Sequence, residues 1–160
     1  MAIKVGDKIP SVQLKTMASD GIKTVSTDEL FNGKKVVLFA LPGAFTPTCS
    51  AKHLPGFVQH ADAIRKKGVD AIACLSVNDA FVMDAWGKHQ NVGDKVMMLA
   101  DGNADFSKAV GLTMDGTNYG MGTRASRYAM VIDNGVVKTL NVEAPGAFEV
   151  SSAESVMKAL

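Results

Sequence analysis

The segment Pro42–Ser50 contains the side chains of this 160-residue chain whose types and spacing favour nucleophilic chemistry. It directly follows the apolar run Lys35–Leu41, which is typical of a strand covered on both faces of a parallel sheet. Thr46 can cap a helix whose first residue is Pro47, and Cys49 then lies in the first turn of that helix. We therefore expect Cys49 where a strand ends and a helix begins, which is where α/β sheets hold their ligands.

A cysteine in the first turn of a helix can react as a thiolate. Unpaired backbone N–H groups surround a sulfur at this position, and the positive end of the helix stabilises its anionic form. We expect the pKa of the Cys49 thiol to fall below its free value of about 8.5, which makes Cys49 a candidate nucleophile. A lone cysteine is otherwise a small buried apolar residue, so its position alone leaves both interpretations open.

Predicted strands and helices alternate along the chain. The strands cover residues 11–16, 21–26, 35–41, 69–77, 96–100, 127–132 and 136–141. The first two form an N-terminal β-hairpin, and Asn134-Gly135 predicts a second hairpin between the last two. This order predicts an α/β fold in which a mixed β-sheet is flanked by helices, as in a thioredoxin-like arrangement. The length predicts one domain over residues 1–160.

The helix that begins after Thr46 is expected to reach about Lys67. Pro55 falls inside this helix and predicts a kink or a split, because proline has no N–H to donate. Near the C-terminus, Ser151-Ser-Ala-Glu154 predicts a capping box that begins the last helix. Gly120-Met-Gly122 is interpreted as a flexible connection rather than a phosphate-binding loop.

Composition argues against several classes of function. The 17 Lys and Arg residues nearly balance the 16 Asp and Glu residues, which disfavours a nucleic-acid-binding protein. The longest apolar run, Val36–Pro42, is far shorter than a membrane span, and two cysteines are too few for a disulfide-stapled secreted protein. The first residues carry charges where a signal peptide needs an apolar core. We therefore predict a cytoplasmic protein that binds neither nucleic acid nor membrane.

The spacing Pro42-x-x-x-Thr46-x-x-Cys49 resembles the signature of the peroxiredoxins, which are thiol peroxidases. The run 41–50, followed by His53-Leu-Pro-Gly-Phe57, is similar to the type II (five-type) branch of that family in particular. The other blocks that are similar to this branch are Ala73–Phe81 with Trp86-Gly87, Arg127–Val131, and Asn141–Glu143. The resemblance spans nearly the whole chain and implies a thioredoxin-like fold.

The resemblance also implies a role for each residue of the motif. Cys49 is the nucleophile that attacks a hydroperoxide, and its backbone N–H is a donor to the substrate. Thr46 directs its hydroxyl into the pocket and accepts the substrate's proton, while Pro42 shields the pocket from water. Arg127 reaches the pocket from a distant strand, and a guanidinium suits this place because it stays charged and offers several donors. Arg124 is a weaker candidate for the pocket rim.

The three histidines do not predict a metal centre. His53 lies four residues after Cys49 on the same helix face, where packing or hydrogen bonding is favoured over a general-base role. His60 and His89 have no clear third ligand beside them, so we predict no metal and no cofactor. No Cys-x-x-Cys occurs, which disfavours a thioredoxin-like disulfide reductase.

Turnover of a sulfenic acid at Cys49 requires a second thiol. Cys74 is the only other cysteine, and it lies in the middle of a predicted central strand. We expect about 10 Å between the two sulfurs, which is too far for a disulfide without rearrangement. Cys74 is either a resolving thiol or a buried structural thiol, and the second role is favoured. Some type II members carry a resolving cysteine in the C-terminal loop, but Pro145–Ser152 has none. The resemblance therefore favours an external thiol, with glutathione and glutaredoxin ahead of thioredoxin.

Two further expectations concern partners. The resemblance implies a homodimer formed through the surface near the active site. The alternative function is a redox-sensing or holdase-type interaction protein, which would use the same reactive thiol without sustained turnover. Sensing and catalysis need the same ionised sulfur, so the residues alone do not separate them.

Overall fold

Strands and helices alternate in the computed structural model, which describes residues 2–160. The strands are β1 (Gln13–Ala18), β2 (Gly21–Ser26), β3 (Lys35–Ala40), β4 (Ala71–Ser76), β5 (Met97–Ala100), β6 (Thr113–Asp115), β7 (Thr123–Ala125), β8 (Tyr128–Asp133) and β9 (Val136–Val142). The helices are α1 (Thr27–Phe31), α2 (Leu54–Lys66), α3 (Ala80–His89), α4 (Asp105–Val110) and α5 (Ala153–Lys158).

Seven of these strands form one mixed sheet in the order β2-β1-β5-β4-β3-β8-β9. The three central neighbours β5, β4 and β3 run parallel, and the outer pairs are antiparallel. The predicted thioredoxin-like class is confirmed, as is the N-terminal hairpin. The first strand begins two residues later than expected, because Ser11 hydrogen-bonds Asp28 and the Val12 N–H donates to Thr27 Oγ1 instead of to a neighbouring strand.

Apolar side chains cover both faces of the sheet, as the continuous apolar strands predict. Helices α2, α3 and α5 cover one face, and α1 and α4 contribute to the core on the other. The buried residues of α2 recur at helical spacing, and Phe57 stacks on Phe39 of β3 at 4.0 Å between ring centroids. Cys49 and Cys74 belong to the same one of these two cores.

The helix that carries Cys49 begins as predicted at Pro47, but it contains a π-helical turn over Cys49–His53. In this turn the Leu54 N–H donates to the Cys49 carbonyl, five residues back, and α2 then continues through Pro55. Pro55 has no N–H for the Ser50 carbonyl, which accepts instead from the side chain of Gln90, the residue after α3, at 3.1 Å. The split predicted at Pro55 is therefore a change of helix type.

The segment around Gly120-Met-Gly122 connects two short strands, β6 and β7, that the sequence did not predict. β6 and β7 pair antiparallel across it, and the Gly116 N–H donates to the Gly122 carbonyl at 2.6 Å. Gly120 and Gly122 have φ of +70° and +65°, which glycine adopts without steric cost. Strands of three residues are too short to show an alternating pattern in the sequence.

The last helix also begins differently from the prediction. Ser152, and not Ser151, caps α5 by accepting from the Ser155 N–H. Ser151 is drawn away from the helix because its N–H and hydroxyl both donate to the Glu143 carboxylate. None of the helices within residues 2–160 combines the length and apolar character that crossing a bilayer requires.

Candidate active site

Strand pairing brings Arg127 to Cys49. β3 ends at Ala40, which lies opposite Tyr128 at the start of the antiparallel strand β8. The chain leaving β3 toward Cys49 and the residue preceding β8 therefore lie at the same edge of the sheet. Arg127 occupies that preceding position, and its side chain reaches the first turn of the helix although the two residues are 78 positions apart.

The Cys49 sulfur is buried and receives a hydrogen bond from the Arg127 guanidinium. Arg127 Nη2 donates to Cys49 Sγ at 3.1 Å, and Cys49 has no exposed surface. A hydrogen bond with one charged partner is shorter and stronger than a neutral one, and the guanidinium keeps its charge at any physiological pH. The arrangement therefore places a fixed positive charge directly beside the sulfur.

His53 is hydrogen-bonded to the other terminal nitrogen of the same guanidinium. Its Nε2 lies 2.9 Å from the Ser151 carbonyl, and its Nδ1 lies 2.9 Å from Arg127 Nη1. A carbonyl only accepts and a guanidinium only donates, so the proton of the neutral ring is on Nε2 and Nδ1 is the acceptor. Burial, followed by the positive charge of Arg127, lowers the pKa of His53 from 6.5 to about 3. His53 thus stays neutral and orients Arg127, in keeping with the hydrogen-bonding role expected for it.

Phe148 covers the Arg127–His53 pair from the C-terminal loop. The Arg127 Cζ atom lies 5.9 Å from the Phe148 ring centroid, and the His53 ring meets the same ring edge-on at 5.0 Å. The His53 ring also lies 5.0 Å from the ring of Phe39. The face of the Phe148 ring attracts the Arg127 cation, and both aromatic rings pack against the neutral His53. Arg127 is therefore held by hydrogen bonds and packing together.

The loop that carries Phe148 is organised by a buried carboxylate that the sequence analysis did not single out. Glu143 accepts from the N–H groups of Glu149, Val150 and Ser151 and from the Ser151 hydroxyl, at 2.7–2.9 Å. Burial alone raises the pKa of Glu143, but these hydrogen bonds outweigh it and the pKa is lowered. The available signals were a glutamate after a predicted strand and the family resemblance of the block Asn141–Glu143, and nothing local indicates which amides this glutamate binds.

Thr46 does not cap the helix with its side chain, so that part of the prediction is wrong. Its hydroxyl donates to the Gly43 carbonyl at 2.7 Å, while its backbone carbonyl accepts from the Ser50 N–H. Because the hydroxyl proton is already committed, the oxygen lone pairs remain for an incoming donor. Pro42 lies half-buried in the same loop, and its carbonyl accepts from Arg124 Nη1 at 3.3 Å.

Cys74 lies in the middle of the central strand β4, as predicted, opposite Phe39 of β3. Its side chain is fully buried, and both cysteines are free thiols. Burial, followed by the proximity of Cys49, raises the pKa of the Cys74 thiol well above its ordinary value. A buried protonated thiol in a central strand is a poor nucleophile.

The remaining histidines lie outside this arrangement. His60 pairs with Glu154 at 3.0 Å, and the exposed His89 ring lies 5.8 Å from that of Phe45. Within residues 2–160, no three His, Cys, Asp or Glu side chains are grouped closely enough to hold a metal ion. The candidate site is the buried Cys49 sulfur with its partner Arg127 and the orienting His53, and Thr46 lies three residues before Cys49 at the start of the same helix.

Comparison with known proteins assigns the family. The family model described as Redoxin matches residues 4–157. Peroxiredoxin-2E, chloroplastic, of Arabidopsis thaliana is 52% identical over 99% of this chain and 70% of its own length, and Peroxiredoxin-2B of the same plant is 46% identical over 99% and 98%. The crystal structure of reduced Prx3 in complex with hydrogen peroxide from Vibrio vulnificus superposes with a TM-score of 0.95 at 56% identity, covering 98% of both chains. With such likeness along its whole length, the chain belongs to the peroxiredoxins, a family of thiol peroxidases, and to the type II branch that its motifs resemble.

Proposed function

We propose that this peroxiredoxin reduces hydrogen peroxide and alkyl hydroperoxides through a sulfenic acid at Cys49. The sulfur attacks the terminal oxygen of R–O–O–H, so that an S–O bond forms as the O–O bond breaks. The other oxygen leaves as RO⁻ and takes up a proton, which yields an alcohol, or water when R is hydrogen. The observation that carries this proposal is the 3.1 Å contact between Arg127 Nη2 and the Cys49 sulfur.

The surrounding groups suit the steps of this reaction. Arg127 stabilises the thiolate before attack and the negative charge that develops on the peroxide oxygens during it. Thr46 offers its oxygen lone pairs to the peroxide O–H, since its own proton is donated to Gly43. The Cys49 N–H, in the first helical turn, is a second donor, and Pro42 limits the access of water.

Recycling is proposed to use an external thiol. A first thiol condenses with the sulfenic acid to give a mixed disulfide and water. A second thiol then attacks the mixed disulfide, which releases Cys49 as a thiolate and joins the two external thiols in a disulfide. Burial of Cys74 in the central strand supports this route over an internal disulfide. We favour glutathione with glutaredoxin, and thioredoxin is the other candidate reductant. The sensing or holdase alternative is not favoured, because the relatives are named as peroxiredoxins.

The test is steady-state consumption of hydrogen peroxide with each thiol system. We expect many turnovers with glutathione and glutaredoxin, none with the Cys49→Ser variant, and nearly unchanged turnover with the matched Cys74→Ser variant. A protein that stops after one equivalent of peroxide in every thiol system is a sensor. Loss of turnover in Cys74→Ser would show that Cys74 is the resolving thiol.

Assembly and location complete the proposal. We propose a homodimer formed through the surface near the active site, where Phe45, four residues before Cys49, is 51% exposed and available for a partner subunit. A mass measurement in solution tests the homodimer, and a monomer would be the contrary result.

Two free thiols suit a reducing compartment, so we propose that the protein is located in the cytoplasm. We also propose that residues 1–160 form one domain.

A further inference from the structure

We propose that Arg124 is a positioning residue that holds the Pro42–Thr46 loop so that the Thr46 hydroxyl faces the peroxide. The inference rests on the proposed function, since it concerns how one group of that site is oriented. Arg124 lies in β7, three residues before Arg127, and its side chain is half-buried. Its hydrogen bonds go to backbone carbonyls and not to the Cys49 sulfur, in contrast to Arg127.

The Arg124 guanidinium joins two loops through their backbone carbonyls. Its Nε donates to the Met121 carbonyl at 2.9 Å, within its own hairpin, and its Nη1 donates to the Pro42 carbonyl at 3.3 Å. The first bond holds the guanidinium plane against the β6–β7 hairpin. The second bond attaches the Pro42–Thr46 loop to that hairpin. A planar guanidinium with one hydrogen bond in place has little rotational freedom left, so its second bond holds the Pro42 carbonyl in a fixed direction.

Gly43 shows how closely the two loops approach. A Cβ atom at Gly43 would lie 3.1 Å from Arg124 Nη1, 3.2 Å from Thr46 Cγ2 and 3.4 Å from Met121 Cε. The guanidinium and the Thr46 side chain therefore both lie against the side of Gly43 where a Cβ would be, and glycine leaves the room that both need. A shift of Arg124 would therefore change the space that is open to the Thr46 side chain beside Gly43.

The Gly43 carbonyl completes the connection. It accepts from the Thr46 hydroxyl at 2.7 Å, so the direction of this carbonyl decides where the oxygen lone pairs of Thr46 point. Arg124 fixes the preceding carbonyl, that of Pro42, and thereby limits rotation of the Pro42–Gly43 peptide. A misplacement of the Thr46 oxygen by about 1 Å would weaken substrate orientation strongly.

The matched control is Arg65, the arginine outside this region. Its guanidinium also donates to two backbone carbonyls, those of Asp94 and Lys95, at 2.8 and 3.1 Å. An Arg65→Met variant therefore removes the same kind of contact at a place away from the Thr46 loop. A general effect of losing a partly buried arginine would appear in both variants.

The experiment measures the second-order rate constant by stopped-flow mixing of reduced protein with hydrogen peroxide. It also measures the thiolate fraction of Cys49 by ultraviolet titration. We expect Arg124→Met to lower the second-order rate constant about tenfold while the thiolate fraction of Cys49 stays that of the wild type, because Arg127 is intact. Arg65→Met should keep the wild-type rate. In a Thr46→Val background the Arg124→Met effect should shrink to about twofold or less, since the oriented hydroxyl is gone.

Two results would overturn the inference. One is that Arg124→Met lowers the rate constant as strongly in the Thr46→Val background as it does alone. The other is that Arg124→Met alone leaves the rate constant unchanged. If Arg124→Met does not fold, Gly43→Ala displaces the same contacts, and the same double-mutant comparison with Thr46→Val decides the matter. Failure of the wild type to react with peroxide would instead refute the proposed function itself.

Discussion

Arg127 Nη2 donates to the Cys49 sulfur across 3.1 Å, and Arg127 Nη1 is bound at the same time by His53 Nδ1 at 2.9 Å. One guanidinium therefore faces the nucleophile with a direction set by a neutral histidine. A cation whose donors are already oriented stabilises charge in the transition state without reorganisation.

Replacing Arg127 by Gln should slow the reaction with hydrogen peroxide by about 10²–10³-fold, as loss of one oriented donor does in other enzymes. The variant should also contain less Cys49 thiolate at neutral pH, because the fixed positive charge beside the sulfur is gone. Stopped-flow kinetics and the ultraviolet absorbance of the thiolate against pH measure the two effects. Arg65→Gln is the control. Wild-type rate and wild-type ionisation in Arg127→Gln would mean that the contact has no function.

His53 predicts a pH dependence of stability. Its pKa is about 3 in the folded protein and 6.5 when unperturbed, so between these values the unfolded chain binds a proton that the folded chain does not. The contribution of His53 to the free energy of unfolding is fully present above pH 6.5. It decreases as the pH falls toward 3, by up to about 1.4 kcal/mol per pH unit.

The His53→Gln variant isolates this effect, because an amide can donate to Ser151 and accept from Arg127 but does not titrate. Urea unfolding at a series of pH values should show a steeper loss of stability in the wild type than in the variant over that acidic range. Parallel curves for the two proteins would contradict the assignment of a depressed His53 pKa. At neutral pH the variant should keep most of its peroxide reactivity.

Glu143 predicts a link between the C-terminal loop and Arg127. Glu143→Gln should cost about 1–3 kcal/mol of unfolding free energy, since one amide oxygen cannot accept from all the donors that face the carboxylate. Amide hydrogen exchange at Glu149, Val150 and Ser151 should become faster, and the reaction with peroxide should slow less than in Arg127→Gln. Glu149→Gln, which changes an exposed carboxylate of the same loop, is the control. Unchanged exchange at the three amides would show that the carboxylate does not order this loop.

Trp86, the single tryptophan, should report oxidation of Cys49. Its indole N–H donates to the Ser50 hydroxyl at 3.0 Å, and Gln90 donates to the Ser50 carbonyl in the π-helical turn. Any rearrangement of this turn after peroxide attack changes the surroundings of the indole, so we expect a fluorescence change upon mixing with peroxide. The change should be absent in Cys49→Ser and smaller in Ser50→Ala. An equal change in Cys49→Ser would assign the signal to another oxidation.

Local patterns in the sequence predict the elements that carry the nucleophile. The apolar run from Lys35, its end before Pro42 and the helix start at Pro47 place Cys49 in a first helical turn, and the structure has each of these features. Backbone preferences and burial of apolar residues act over a few positions, so they are readable without knowledge of the rest of the chain. The motif spacing adds the family by resemblance.

The partners of that nucleophile depend on contacts between distant parts of the chain. Arg127 meets Cys49 because of the register between β3 and β8, and His53 is oriented by Ser151, whose own place depends on the Glu143 carboxylate. Local preference allowed Thr46 to cap the helix, but in the folded chain its hydroxyl donates to the Gly43 carbonyl instead. A residue's type determines which bonds it can make, whereas only the folded chain determines which partner is near enough to make them.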